Sequence, residues 1–174
     1  MAKLLLEDLH NIFIEAVGGF LESHSDVAEK PLLLDLKSPL PRKIRLYIYN
    51  ATHPPGGRTV GEHKIQLIIP EQKRAERGNF DYSDGRIVIL AGYESETEVF
   101  VLWDAGLYTN FAFSSNIQVK AETIYEAFAG KIGRQERDIK GKGKEIVITT
   151  QKENLPDAIR TRVETSRMRL IGLI

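Results

Sequence analysis

Lys43-Ile44-Arg45-Leu46-Tyr47-Ile48-Tyr49 alternates polar and apolar side chains up to Tyr47, the period-two pattern of a β-strand with one wetter face. Glu62-His63-Lys64-Ile65-Gln66-Leu67-Ile68-Ile69 repeats the alternation before it closes on a continuous apolar run. Outward from these two stretches, further β-rich runs at 32–36, 86–91, 99–103 and 116–119 are separated by Pro, Gly, Asn and Asp. Two more strands are predicted at 132–139 and 145–150, joined by the flexible Lys140-Gly141-Lys142-Gly143-Lys144 turn. Strands therefore dominate the middle of the chain.

Helical periodicity marks three other places. Leu5, Leu9, Ile12, Phe13, Ala16, Val17 and Phe20 recur at three- and four-residue spacing, which predicts an amphipathic helix over 4–21 weakened at Gly18-Gly19, with residues 23–26 as its exit. Ile124, Tyr125 and Phe128 share one side of a short helix over 121–129, and Gly130 stands where its C-cap belongs. Pro156 fits the first turn of a closing helix that runs to Met168. Many short strands with one helix before, one within and one after them predict an α+β fold, mainly a curved β-sheet or open pseudobarrel, rather than alternating βαβ units. No repeat or long linker divides the chain, so residues 1–174 read as one domain, either whole or a fragment of a longer polypeptide.

The composition narrows the function classes. Hydrophobic residues make up 42% of the 174 and charged residues 28%, enough apolar material for a core and too much for a disordered chain. There is no cysteine, and the four histidines are scattered, so neither a disulfide framework nor a thiol nucleophile nor a metal or cofactor site is expected. Glu7 and Asp8 interrupt the apolar N-terminus, and no stretch approaches the roughly 18 apolar residues of a membrane span. A soluble, cytoplasmic protein without membrane partners is the expectation.

Lys and Arg number 24 and so do Asp and Glu, so no overall field draws the chain to nucleic acid. The charge is segregated, however: residues 41–80 carry eight bases against three acids. Within that block, Asn50-Ala51-Thr52-His53-Pro54-Pro55-Gly56-Gly57-Arg58 combines a stiff diproline with a permissive diglycine and short hydrogen-bonding side chains. It can present amides and Arg58 to an anion or a base edge, or it can simply reverse the chain. The next loop, residues 70–83, mixes Lys73, Arg74 and Arg77 with Asn79, Phe80, Tyr82 and Ser83. Phosphate contacts need cations and base contacts need planar or hydrogen-bonding groups, so the mixture suits a nucleic-acid loop; a solvated surface loop has the same composition. Trp103 lies in an apolar strand, where core packing competes with base stacking, and Asp104 at its end can meet a cytosine amino group or cap a turn. Glu62-His63-Lys64 superficially satisfies the Glu-x-Lys half of a metal-dependent nuclease site, but the nearest preceding acid is Asp35.

The strings His63-Lys64-Ile65-Gln66-Leu67-Ile68-Ile69-Pro70, Arg77-Gly78-Asn79-Phe80-Asp81, Val99-Phe100-Val101-Leu102-Trp103-Asp104-Ala105 and Phe113-Ser114-Ser115-Asn116-Ile117-Gln118-Val119 resemble the accessory domain found at the start of bacterial restriction-system proteins. The resemblance covers roughly residues 40–170. The order of strands and helices also resembles the pseudobarrel DNA-recognition domain shared by plant transcription factors and some restriction endonucleases, which grips the major groove between two loop-bearing arms. These likenesses imply a defence-system domain that recognises duplex DNA, methylated or not, with cleavage by a restriction nuclease or NTPase domain or subunit elsewhere and no catalytic residue in this chain. Arg58, Lys73, Arg74 and Arg77 would then contact phosphate or guanine, and Asn50, Thr52, His53, Asn79 and Ser83 would supply shorter-range readout. A divalent-metal nuclease using Glu62 and Lys64, and a module whose basic loops meet an acidic protein, are the competing classes.

Overall fold

The computed structural model describes residues 3–53 and 61–174. The chain opens with helix α1 (Leu6–Val17), a 3-10 turn, and strands β1 (Leu21–His24), β2 (Leu32–Leu36) and β3 (Lys43–Asn50). There follow β4 (Glu62–Leu67), the two-residue β5 (Arg77–Gly78), β6 (Ile87–Glu94), β7 (Val99–Trp103), the two-residue β8 (Phe111–Ala112) and β9 (Ser115–Lys120). Helix α2 (Ala121–Phe128), strands β10 (Gly133–Ile139) and β11 (Gly143–Gln151), and helix α3 (Leu155–Leu170) complete it. The α+β class with helices at these three places is as the periodicity predicts. The first helix is shorter than expected, stopping at Val17, and β1 takes up the last residue expected in that helix, Leu21, with Glu22 and the first two residues read as its exit, Ser23 and His24. That edge strand is largely exposed and carries no alternation to betray it.

Seven strands form one mixed sheet in the order β1-β2-β3-β6-β7-β11-β10. It is open rather than closed into a barrel. Only β3 and β6 run parallel, and the crossover that a parallel pair requires is filled by β4 and β5. β4 pairs instead with β9 as a separate two-stranded ribbon.

Strand alternation gives the sheet two apolar faces. Ile44, Leu46, Ile48, Phe100, Leu102, Ile146 and Ile148 face α1 and α3, whose Phe13, Val17, Ile159 and Val163 complete that core. Tyr47, Tyr49, Leu90, Val101, Trp103 and Val147 face the other way, against Ile65, Leu67, Ile117 and Val119 of the ribbon and Ile124 and Ala127 of α2. Two details seat the ribbon. A Cβ on Gly92 would lie 2.9 Å from the Ile65 side chain and 3.0 Å from the Trp103 ring, so only glycine lets the ribbon come this close. The fully buried Trp103 donates its indole N–H to the Gln118 carbonyl at 3.0 Å, which settles its role as core packing with a polar tether. Among the described residues no helix is long and apolar enough to cross a membrane.

Candidate nucleic-acid interface

The inward positions of the ribbon are His63, Ile65 and Leu67 on β4 and Ile117 and Val119 on β9, all buried. Their alternates must point away from the sheet. The register places Glu62 opposite Lys120, Lys64 opposite Gln118, and Gln66 opposite Asn116. The outer face is thus a ladder of two ammonium groups, three carboxamides and one carboxylate. Each carboxamide offers donors and an acceptor on one planar group, and each ammonium is a point charge.

Cations flank both long edges of this ladder. Beyond β4 a small cavity is lined by Lys3, Lys30, Asn50, Thr52, Lys64 and Gln66, among others. Beyond β9 a groove runs between Asn116 and Gln118 on one side and Arg137, Asp138 and Lys140 on the other, where Lys140 is the cation outside the ion pairs of the described residues.

Several basic residues that swell the charge count are committed to the fold instead. Arg45, only 5% exposed, donates to the carbonyls of Asp81 at 2.8 Å and Ser83 at 3.0 Å and so pins the loop before β6. Arg86 pairs with Asp35 at 3.0 Å. The Arg137 guanidinium meets the buried Glu145 carboxylate and the Tyr108 hydroxyl, and burial together with the Glu145 charge pushes the Tyr108 phenol well above its usual range. The Asp104 carboxylate receives Arg169, with Arg162 beside it, and also caps Gly106. Glu94 is spent similarly: its carboxylate accepts from the amides of Glu96 and Thr97, so the acidic turn at 94–98 closes on itself. Among the described residues no three His, Asp or Glu side chains converge on a metal-sized site.

Residues 42–159 match the family described as methylase-associated X1. The chain belongs to that family. Membership ties it to methylase and restriction-modification systems, in agreement with the system that the sequence likeness implies. No curated protein and no solved structure matches the chain. The X1 segment takes in the whole β4–β9 ribbon and the sheet from β3 onward, while α1, β1 and β2 lie before it.

All nine nominated residues fall inside the X1 segment. Arg58 lies outside the described residues, as does the rest of its diproline-diglycine turn. Asn50 ends β3 with its amide bonded to both the N–H and the carbonyl of Leu4, each at 2.9 Å, so its polar atoms hold the N-terminal segment. Thr52 bridges to Lys64 through two backbone hydrogen bonds of 2.9 Å. His53 is exposed, its ring 3.8 Å from that of buried His63, and desolvation with the nearby His53 pushes the His63 imidazole down to about 4. Lys73, Arg74 and Arg77 are exposed. Asn79 accepts from the Asn110 amide at 2.8 Å, and Ser83 stands on the loop that Arg45 holds.

Of the described nominated residues, Thr52 and His53 lie against the first half of β4, and Lys73 to Ser83 follow its end along the chain. Sequence reasoning missed the ribbon face between them. The signal was present in the polar alternates of 62–67 and 116–120, but their cross-strand pairing is not local information.

Proposed function

We propose that this X1 chain is a DNA-recognition module of a methylase-associated restriction system, reading duplex DNA with the outer face of the β4–β9 ribbon. One observation carries the reading: Lys64, Gln66, Asn116, Gln118 and Lys120 share the outward face of a two-stranded ribbon whose other face packs on the main sheet. The major groove admits such a ribbon, and its base edges are matched by these groups, with Asn and Gln pairing to adenine and Lys to guanine. Cations on both flanks suit the phosphates on either side of a groove. In this reading Arg58, Lys73, Arg74 and Arg77 add phosphate contacts, and Thr52, His53, Asn79 and Ser83 add shorter-range contacts, while the Asn50 amide is spent on Leu4.

In this reading the chain positions and selects, and cutting belongs to another domain or subunit. The test is binding to a randomised duplex pool at several salt concentrations. Each phosphate neutralised contributes a logarithmic salt slope of about 0.9, so several contacts give a steep dependence. Salt-independent binding, or none near 50 mM salt, overturns the reading. Magnesium-dependent cleavage lost in Glu62→Ala would favour the nuclease class instead.

A further inference from the structure

The cavity beyond β4 has a volume of about 210 Å³, and its lining of Lys3, Lys30, Tyr49, Asn50, Thr52, Lys64, Gln66 and Ile68 contains no carboxylate. Three lysines line it from three separate places: the segment before α1, the β1–β2 connection, and β4. Among the described residues none of the three forms an ion pair, although Asp and Glu equal Lys and Arg in number over the whole chain. Gathering like charges around one space without a counter-ion is unfavourable, and the surrounding contacts hold the arrangement in place.

The two hydrogen bonds from Asn50 to Leu4 fix the backbone next to Lys3. The Lys30 ammonium sits 3.5 Å from the centre of the Tyr49 ring, a cation–π contact that anchors its tip. Paired backbone bonds between Thr52 and Lys64 fix the third corner. Desolvation holds the Lys30 ammonium down to about 8, the behaviour of a cation withdrawn from water with no anion to meet it.

We infer that Lys3, Lys30 and Lys64 form a phosphoryl-binding subsite, preorganised by Asn50, Tyr49 and Thr52. Three ammonium donors around a space of this size match the oxygens of one phosphoryl group, for which lysine serves as a point charge. Resting on the DNA reading above, the group it takes is a backbone phosphate beside the bases met by Gln66, Asn116 and Gln118. Two of the three lysines precede residue 42, so α1 and the β1–β2 connection contribute to binding from outside the matched X1 segment.

The experiment compares wild type with Lys3→Gln, Lys30→Gln and Lys64→Gln, with Lys131→Gln on the α2–β10 connection as control. Two probes are used. With duplex DNA, Lys3→Gln and Lys30→Gln are expected to lower the logarithmic salt slope by about 0.9 or less each, without changing the ranking of sequences, while Lys131→Gln leaves both unchanged. With inorganic pyrophosphate, the side-chain resonances of Lys3, Lys30 and Lys64 are expected to shift in wild type and to lose that shift in the variants.

Duplex binding with wild-type slope and affinity in both Lys3→Gln and Lys30→Gln overturns the subsite and leaves the DNA reading standing. Absence of duplex binding together with a pyrophosphate shift confined to these lysines overturns the DNA reading and leaves the subsite as one for a free phosphoryl ligand. Absence of both overturns both. Lys3 is exposed, so its variant keeps the test meaningful even where Lys30→Gln perturbs folding.

Discussion

Asp104 and Arg169, 65 positions apart, are joined by two charge-assisted hydrogen bonds of 2.5 and 3.1 Å. Asp104 follows the last residue of β7 and Arg169 lies in the last turn of α3, so the pair fastens the end of the closing helix to the end of an interior strand of the sheet. Arg162, two turns earlier on the same face of α3 and buried, places a second guanidinium 3.6 Å from the same carboxylate and donates to the Ile146 carbonyl. The buried face of α3 therefore runs through Leu155, Ala158, Ile159 and Val163 but is interrupted by Arg162 and ends on Arg169, which is why its sequence lacks a continuous apolar stripe.

Removing the acid should be costly. Asp104→Ala leaves Arg162 buried without its counter-charge, and truncating one partner of a buried pair costs about 3 to 5 kcal/mol. Urea unfolding should show a lower midpoint by a corresponding amount with an unchanged slope. A loss below about 1 kcal/mol would mean that water readily replaces the carboxylate.

Acid should destabilise the fold through His63. Its folded value of about 4 lies below the ordinary histidine value of 6.5, so between those two pH values the unfolded chain binds the extra proton. Stability is thus full above about pH 6.5 and falls as pH drops towards 4, by on the order of 3 kcal/mol. His10, lowered chiefly by burial, adds in the same direction. His63→Phe should flatten the decline seen in unfolding midpoints across that window, and an unchanged decline would transfer it to His10.

The strands were legible in two ways: β4 by its period-two alternation, and β2 and β7, which match their sequence readings at both ends, as short apolar runs bounded by turn residues, the pattern of strands in a sheet covered on both faces. α2 likewise ends where Gly130, with φ of 93°, takes the left-handed position. What could not be read was partnership. Nothing within 62–67 announces that 115–120 lies beside it, and nothing around Arg45 shows that its alternate position points into a protein layer rather than to solvent. A count of bases along the chain therefore treated Arg45 as available, while Lys3 and Lys30, in an acidic segment, drew no notice.

The loop that Arg45 holds offers a direct check. Arg45→Met keeps much of the aliphatic stem but removes the bonds to the Asp81 and Ser83 carbonyls, each worth about 1.5 to 3 kcal/mol when the donor is charged. Amide exchange over residues 81–86 should accelerate by about tenfold or more, while amides of Leu46 and Leu90 in the central strands stay protected. Uniform acceleration everywhere would instead signal global destabilisation.

Reading and positioning should separate on the ribbon itself. Gln66, Asn116 and Gln118 carry planar amides able to pair with a base edge, so alanine at any of them should change the ranking of duplex sequences, with about 1 to 3 kcal/mol lost at the base pair concerned. Lys73→Ala with Arg74→Ala should instead weaken all duplexes about equally and reduce the salt slope, because phosphate contacts carry little base information. Selection from a randomised duplex library at one fixed salt concentration makes the two classes comparable. Variants of Gln66 and Gln118 that return the wild-type preference at uniformly lower affinity would make the ribbon a positioning surface. Base readout would then pass to the groups at its two ends, His53 and Thr52 beside the start of β4 and Asn79 and Ser83 beyond its finish, and alanine at those four positions should then be what alters the preference.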